Sequence, residues 1–213
     1  MKLPRFFLVP SFAALLSLVS LSFAAGDDKI ELPDFTKGDA IPAKAKKDWN
    51  LGPTGLRGWM FCDRLVTTDA RQIAITVVDK GSPAEGVMAE GDVLLGAGGK
   101  AFSFDPRTEL GRAITAAESE AGDGRLALTR WRAGKTEEVV VKLPVLGTFS
   151  DTAPFDCQKS KRVFERGIKA LAAKVADPEY AKRTDGIPRS LNALALLASG
   201  DAALLPLVKQ EAE

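Results

Sequence analysis

The sequence predicts an α+β protein in which a partly open β-barrel or sandwich with two helices precedes an all-helical segment of about three helices. Short apolar strands separated by glycine and proline turns fill residues 51–146. Helix-start signals interrupt these strands twice, and residues 156–213 show only helical spacing of apolar residues. Hydrophobic residues make up 46% of the 213 residues and charged residues 27%, which is typical of a globular chain.

The N-terminus has the pattern of a secretory signal peptide. Lys2 and Arg5 precede an apolar run over residues 6–21, and small residues at Ser22 and Ala24 fit a cleavage site. A retained membrane anchor is the alternative, but a proline and three serines interrupt the run, which is also short for a span. We therefore expect residues 1–24 to be removed and the protein to be exported to the periplasm or outside the cell.

The charge pattern of the mature chain argues against a nucleic-acid partner, and its lack of long apolar stretches argues against a membrane partner. Removal of Lys2 and Arg5 from the 29 basic residues leaves 27 beside 28 acidic ones, a net charge of −1. Nucleic-acid binders carry a basic stripe, whereas here both signs are interspersed. No later stretch is apolar enough for stable membrane insertion, so neither nucleic acid nor membrane is expected as a partner.

Residues 25–48 predict an extended arm or linker. This stretch is rich in Asp, Lys and Pro and has no apolar period, so little structure is expected there. From residue 49 the turn signals become regular, and residues 49–147 are predicted to form one domain.

Glycine-rich turns organise the strands of this domain. Residues 52–58 predict a turn, Gly98-Gly99 is a pair suited to a tight hairpin, and residues 132–135 predict a second hairpin loop. The predicted strands cover residues 59–65, 72–78, 93–97, 100–102, 126–131 and 137–143.

Two helices are predicted between the strands. Ser82 followed by Pro83 and Glu85 has the composition of a capping box, and Gly91 would end this short helix. Asp105-Pro106 starts a longer helix that runs to about residue 119. Its predicted buried column is Leu110, Ala113, Ile114 and Ala117.

Residues 148–213 predict a helical segment, read as the start of an incomplete helical-repeat or toroid-like region. The first helix has an apolar stripe made of Val163, Phe164, Ile168, Leu171 and Val175. The second helix is expected to turn inward Leu191, Leu194, Ala195 and Ala198. A third helix is expected from about residue 204 onward.

The order of elements and several motifs resemble a PDZ domain of the bacterial exported type. Val-Asp-Lys-Gly-Ser-Pro-Ala at 78–84 is similar to the family's first helix start, and Gly-Asp-Val-Leu-Leu at 91–95 to the strand that follows. Residues 130–135 are similar to its closing hairpin. The phrases at 152–155 and 189–194 resemble a poorly characterised family of secreted bacterial proteins in which a PDZ domain precedes a large helical region.

The resemblance implies a site that binds a protein C-terminus or an internal extended peptide by adding it as a strand. The open edge would be residues 59–62, and backbone amides of residues 56–59 would receive a carboxylate or carbonyl. Substitution of Leu56 by Asp or of Gly58 by Pro is expected to abolish binding and spare the fold. The implied site residues are Gly55, Leu56, Arg57, Gly58, Trp59, Met60, Phe61, Leu110 and Ile114.

The composition argues against catalysis. The chain has no histidine, which removes Ser-His-Asp and Cys-His arrangements and imidazole acid–base chemistry. The glycines before Lys100 lack the spacing of a phosphate-binding loop. We expect no enzyme activity, no cofactor and no metal. Cys62 and Cys157 either pair across a long loop or remain free thiols.

Two alternatives to a peptide-binding module stay open at this point. In the first, the chain is the regulatory front of a larger enzyme whose chemistry lies elsewhere. In the second, it is a structural spacer whose groove is filled by its own residues 30–35 or by the helical segment.

Overall fold

A computed structural model describes residues 32–45 and 47–213, and the side chains of Ala181 and Arg183 are not described. The predicted signal peptide at 1–24 therefore lies outside the described residues. Within these ranges the chain is α+β, with one open antiparallel sheet of seven strands and five α-helices, which confirms the predicted α+β class. The elements are β1 (Trp49–Asn50), β2 (Leu56–Trp59), β3 (Ile73–Val78), β4 (Val93–Ala97), β5 (Lys100–Ala101), α1 (Pro106–Ala117), β6 (Arg125–Arg132), β7 (Lys135–Lys142), α2 (Gln158–Val175), α3 (Pro178–Arg183), α4 (Gly186–Ala198) and α5 (Leu205–Ala212).

The sheet has the strand order β1-β2-β3-β4-β6-β7, and β5 pairs with β4 beside this path. Strand β2 pairs with β3 on one side, with a register shift between Arg57 and Gly58, and with β1 on the other. Strands β6 and β7 form the predicted hairpin, which turns between Arg132 and Lys135. Strands β4 and β5 form the tight hairpin predicted at Gly98 and Gly99.

Helix α1 covers one face of the sheet. Asp105 caps it by accepting a hydrogen bond from the Arg107 amide, and Pro106 occupies its first turn, as the sequence predicts. Leu110 and Ala117 are buried and Ile114 packs against the same core. The core under this face consists mainly of Leu51, Leu56, Met60, Ile73, Ile75, Leu94, Leu110, Leu126, Leu128, Val141 and Leu143.

The predicted helix after Ser82 is wrong, because residues 81–88 form successive turns. The Glu85 carboxylate accepts a hydrogen bond from the Gly81 amide instead of closing a capping box on Ser82. The segment is short, and a helix nucleus is costly until several turns follow it. Burial of Ala84 and Met88 against the core holds these turns in place of a helix.

The N-terminal arm packs on the other face of the sheet, so the expectation of little structure is wrong for residues 34–38. A short 3-10 turn (Phe35–Lys37) is capped by the Asp34 side chain. The Phe35 ring meets the Trp59 ring edge-on at 5.8 Å, and the Phe35 amide donates to the Gln72 side chain at 2.8 Å. Both faces of the sheet are therefore covered near β2.

The helical segment is joined to the sheet domain at the C-terminal end of α1. The Lys159 ammonium donates to the Glu118 carboxylate at 2.7 Å, and both side chains are buried. The amides of Leu146 and Gly147 both donate to the Glu118 carbonyl. These contacts bring the start of α2 against the last turn of α1.

The predicted buried faces of the helical segment are partly wrong. Of the predicted stripe on α2, only Val175 is fully buried, while Val163 and Phe164 are exposed. On α4, Leu191 and Leu194 are exposed and the buried positions are Asn192 and Leu196. The Asn192 side chain donates to the Glu211 carboxylate of α5 at 2.7 Å, so a polar contact holds these two helices together.

Candidate functional site

The candidate site is the slot between β2 and α1, where the sequence places most of the implied site residues. In the structure this slot holds the chain's own residues 48–52. Trp49 pairs with Gly58 and Asn50 with Arg57, antiparallel to β2, and the Leu51 amide donates to the Leu56 carbonyl at 2.9 Å. Strand β1 therefore pairs with β2 at Arg57 and Gly58, just before residues 59–62, where the open edge was predicted, and of those four residues only Trp59 lies in a strand. Residues 48–51 are called the resident segment below.

The resident segment also touches the helix that forms the other wall of the slot. The Arg107 guanidinium lies over the Trp49 ring, 4.5 Å from its centroid. A Cβ added to Gly52 would lie 3.5 Å from Ile114 Cδ1, so the backbone leaving the slot runs against α1. The segment therefore fills the space between both walls, the strand and the helix.

An ion pair fastens the start of the resident segment to the sheet. The Arg57 Nε donates to Asp48 Oδ1 at 2.9 Å, and Thr76 Oγ1 donates to Asp48 Oδ2 at 2.7 Å. The hydrogen bond from Arg57 and that from Thr76 hold the pKa of Asp48 below its ordinary value. The carboxylate is thus recognised by a cation and a hydroxyl from two neighbouring strands.

The end of the resident segment is an aliphatic anchor. Leu51 is 4% exposed and belongs to the core under α1. A Cβ added to Gly58 would meet Leu51 Cδ1 at 3.4 Å and Ile73 Cγ2 at 2.5 Å, so glycine is required for this close approach. The space that Leu51 occupies therefore exists because position 58 on β2 is a glycine.

The predicted cluster of free amides is wrong, because the amides at the start of β2 are used internally. The Gly55 amide donates to the Gly52 carbonyl at 3.4 Å, and the Leu56 amide donates to Thr54 Oγ1 at 3.1 Å. Arg57 and Gly58 lie in the ladders with β1 and β3 rather than in a loop. Gly55 adopts the left-handed conformation that glycine favours in a turn, with φ of 74°.

Several implied site residues are core residues. Leu56 is 1% exposed, and Met60 and Leu110 are also buried. Substitution of Leu56 by Asp would bury a charge and disrupt the fold, so the expectation that it spares the fold is wrong. Alternation along a strand would place Trp59 and Phe61 on one side, but the strand ends at Trp59 and the two side chains pack in different clusters.

Sequence reasoning missed the residues that fill the slot. Asp48 was assigned to the linker, and Trp49, Asn50 and Leu51 were given no role. Arg107 was treated only as part of the helix. The signal available was the pair Leu51 and Leu56 on either side of the Gly-Pro-Thr-Gly turn at 52–55, which is consistent with a hairpin that has a four-residue loop.

Cys62 and Cys157 are both free thiols in the structure, so the long-loop disulfide is not formed. Cys157 precedes α2, and its sulfur accepts a hydrogen bond from the Ser150 amide at 3.4 Å. Hydrogen bonds from the Ser160 side chain and the Ser150 amide lower the pKa of Cys157 to about 6. This thiol lies in the helical segment and has no contact with the slot in the described structure.

Other classes of site find little support in the described ranges. Residues 32–45 and 47–213 contain no group of three or more Cys, Asp and Glu side chains arranged to hold a metal ion. In the same part of the chain, no helix combines the length and apolarity needed to span a bilayer. Neither a scan against protein-family models nor a search of curated proteins finds a match to this chain. The basis for a function is therefore the geometry of the slot.

Proposed function

We propose that residues 49–147 form a PDZ-like protein-binding module of an exported protein, which binds an extended peptide by adding it as a strand to β2. In this proposal the resident segment occupies the slot until a partner segment replaces it. Binding is an exchange of one strand for another, because the partner must pair with the same edge at Arg57 and Gly58.

One observation carries the proposal. The resident segment runs antiparallel to β2 and lies between that strand and α1, which is the arrangement that strand addition requires of a bound peptide. The slot is thus already used to hold an extended backbone, with pairing on one side and side-chain contacts on the other.

The resident segment pairs with β2 over a length short enough for a partner segment to replace it. Strand β1 has two residues, and a hairpin of this size is marginally stable without further packing. Asp48 and Arg57 are only partly buried, so their ion pair is worth about 1 kcal/mol or less. A longer partner strand would gain more pairs along the edge than the resident segment makes.

A structural module with a permanently filled slot is the second candidate. The burial of Leu51 and its four-residue connection to Leu56 favour it, because both hold the resident segment in place. This candidate predicts that no peptide enters the slot under any condition that keeps the fold.

The proposal assigns no catalytic role to the module and places its partner outside the cytoplasm. The absence of histidine from the whole chain supports the first statement, and the leader-like pattern of residues 1–24 supports the second. The partner is an extended segment of another protein, either internal or at a C-terminus.

A reversible cross-strand lock tests the proposal. Because the Leu51 amide donates to the Leu56 carbonyl, Asn50 and Arg57 form a non-hydrogen-bonded pair, a type whose Cα atoms lie about 4.5 Å apart. Asn50→Cys with Arg57→Cys therefore fits a disulfide. Cys62→Ser and Cys157→Ser remove the native thiols from the same chain, and this background alone is the control.

Peptide affinity is then compared between the oxidised and reduced forms. A random peptide library with free and blocked C-termini supplies the ligands, and fluorescence anisotropy gives each Kd. Strand exchange predicts that the reduced form binds at least about tenfold more tightly than the locked form. Equal affinity of both forms would contradict the exchange, and no binding to either form or to the background, which keeps Arg57, would favour the structural module.

A further inference from the structure

We propose that the resident segment is a template for the partner: segments that replace it carry an acidic residue, an aromatic residue, any residue and then an aliphatic residue. This inference rests on the proposed function and adds the chemistry of the ligand. It follows from how the slot holds each side chain of Asp48, Trp49, Asn50 and Leu51.

The first position selects an acidic side chain. Arg57 and Thr76 each donate a hydrogen bond to the Asp48 carboxylate, at 2.9 and 2.7 Å. Replacement of Asp48 by a partner's neutral residue would leave both donors to water, and replacement by a basic residue would bring two cations together. Arg57 therefore decides the charge at this position.

The second position selects an aromatic side chain. Trp49 is half-buried, packs against the core under α1, and has the Arg107 guanidinium over its ring. A guanidinium over an aromatic face is attracted by the ring's negative centre, and no aliphatic side chain provides this. Arg107 also pairs with Asp105 at 3.3 Å, which holds it over the slot.

The third position is not selected. Asn50 is exposed, and its side chain makes a local contact in which the Gly52 amide donates to Asn50 Oδ1. Side chains alternate along a strand, so this position faces away from the core that Trp49 and Leu51 contact.

The fourth position selects an aliphatic side chain of limited size. Leu51 is buried in the same core cluster as Ile73, and its Cδ1 lies 3.4 Å from the position that a Cβ on Gly58 would take. A charged residue there would be buried without a partner, and a larger ring would meet the strand. The pattern of acidic, aromatic, any and aliphatic thus reads directly from the slot.

A labelled peptide with the sequence Lys-Lys-Asp-Trp-Asn-Leu-Gly-Ser tests the template. It is measured against the whole chain carrying Trp49→Ala, which weakens the resident segment, and against Trp131→Ala as the matched control. Trp131 lies on the opposite face of the same sheet. We expect Trp49→Ala to bind the peptide at least about tenfold more tightly than wild type, and Trp131→Ala to bind like wild type.

Single alanine changes in the peptide then map the selection. Changes at the acidic, aromatic and aliphatic positions should each weaken binding about tenfold, and the change at the third position by less than about twofold. If Trp49→Ala does not fold, Asp48→Ala releases the segment instead, because it removes only a partly exposed ion pair.

A charge exchange separates recognition from mere stability. Arg57→Glu in the Trp49→Ala background should prefer the peptide in which lysine replaces the acidic residue, while the parent chain prefers the original. Library peptides that bind as tightly without the pattern would overturn the template and leave the strand exchange intact. No binding of any peptide to any of these variants would overturn the proposed function and the template together.

Discussion

Gly58 is the residue on which the slot depends most closely. It lies on β2 where a Cβ would meet Ile73 Cγ2 at 2.5 Å and the Ala74 carbonyl at 3.0 Å. The resident Leu51 approaches the same point. The absence of a side chain therefore permits both the packing of β2 on β3 and the entry of a leucine beside it.

The first prediction is that Gly58→Ala lowers the free energy of unfolding by about 1–3 kcal/mol, because the new methyl group overpacks the sheet. Gly111→Ala is the matched control: Gly111 lies on the exposed side of α1 with open space around its Cα. There alanine should be neutral or stabilise by up to about 1 kcal/mol. Urea unfolding measures both, and a Gly58→Ala protein as stable as wild type would contradict the described packing.

The second prediction concerns Asp48, the residue that opens the resident segment. Arg57 and Thr76 keep its pKa below the ordinary 3.8, so it adds stability above that pH and loses it as the pH falls through its lower folded value. Asp48→Asn should therefore be less stable than wild type at about pH 7, and the gap should narrow towards about pH 2. Thermal unfolding across this range measures the gap.

The control for this titration is Asp151→Asn, at an exposed position of the helical segment. It makes the same change of charge without touching the ion pair of Asp48 and Arg57. If the difference in thermal stability between Asp48→Asn and wild type stays constant from neutral to acid pH, the ionised Asp48 carboxylate does not stabilise the fold.

At the scale of elements, the sequence predicts the strands and the long helix well and the short elements poorly. Strands β3, β4, β6 and β7 have clear alternation or turn signals, and α1 has a cap, a proline and an apolar column. Strand β1 has only two residues, too few to show a period. The occupied slot follows from the local β1–β2 hairpin, whose signal in the sequence is limited to its turn at 52–55 and the two leucines beside it.

Helix α4 shows why the spacing of apolar residues predicted the wrong buried face in the helical segment. Leucines at 191, 194, 196 and 197 lie on several sides of the helix, so apolar spacing does not select one face. The buried face is selected instead by the contact of Asn192 with Glu211 on α5. A buried polar pair of this kind gives no apolar signal.

The third prediction follows from this face. Leu196 is 1% exposed and Leu194 is 62% exposed on the same helix. Leu196→Ala should cost about 2–5 kcal/mol of unfolding free energy, because it leaves a cavity, whereas Leu194→Ala should cost less than about 0.5 kcal/mol. Urea unfolding of the two variants decides, and the opposite order would show that the sequence-based face was right.

At the scale of the whole molecule, α1 connects the slot to the helical segment. Its first turn carries Arg107 over the resident Trp49, and the residue after its last turn, Glu118, holds Lys159 of α2. The arm at residues 34–38 covers the other face of the sheet. The described chain is thus a sheet domain whose slot is closed by its own backbone, with helices joined at the far end of one wall.

The central claim is that a partner strand takes the place of the resident segment on β2. Hydrogen exchange at the Leu51 amide, which donates to the Leu56 carbonyl, tests it most directly, with the Leu146 amide as a remote reference. Saturation with a library-selected peptide should remove protection at Leu51 and leave Leu146 protected. A Leu51 amide that stays protected while the peptide is bound would contradict the claim, because the partner would then be binding elsewhere.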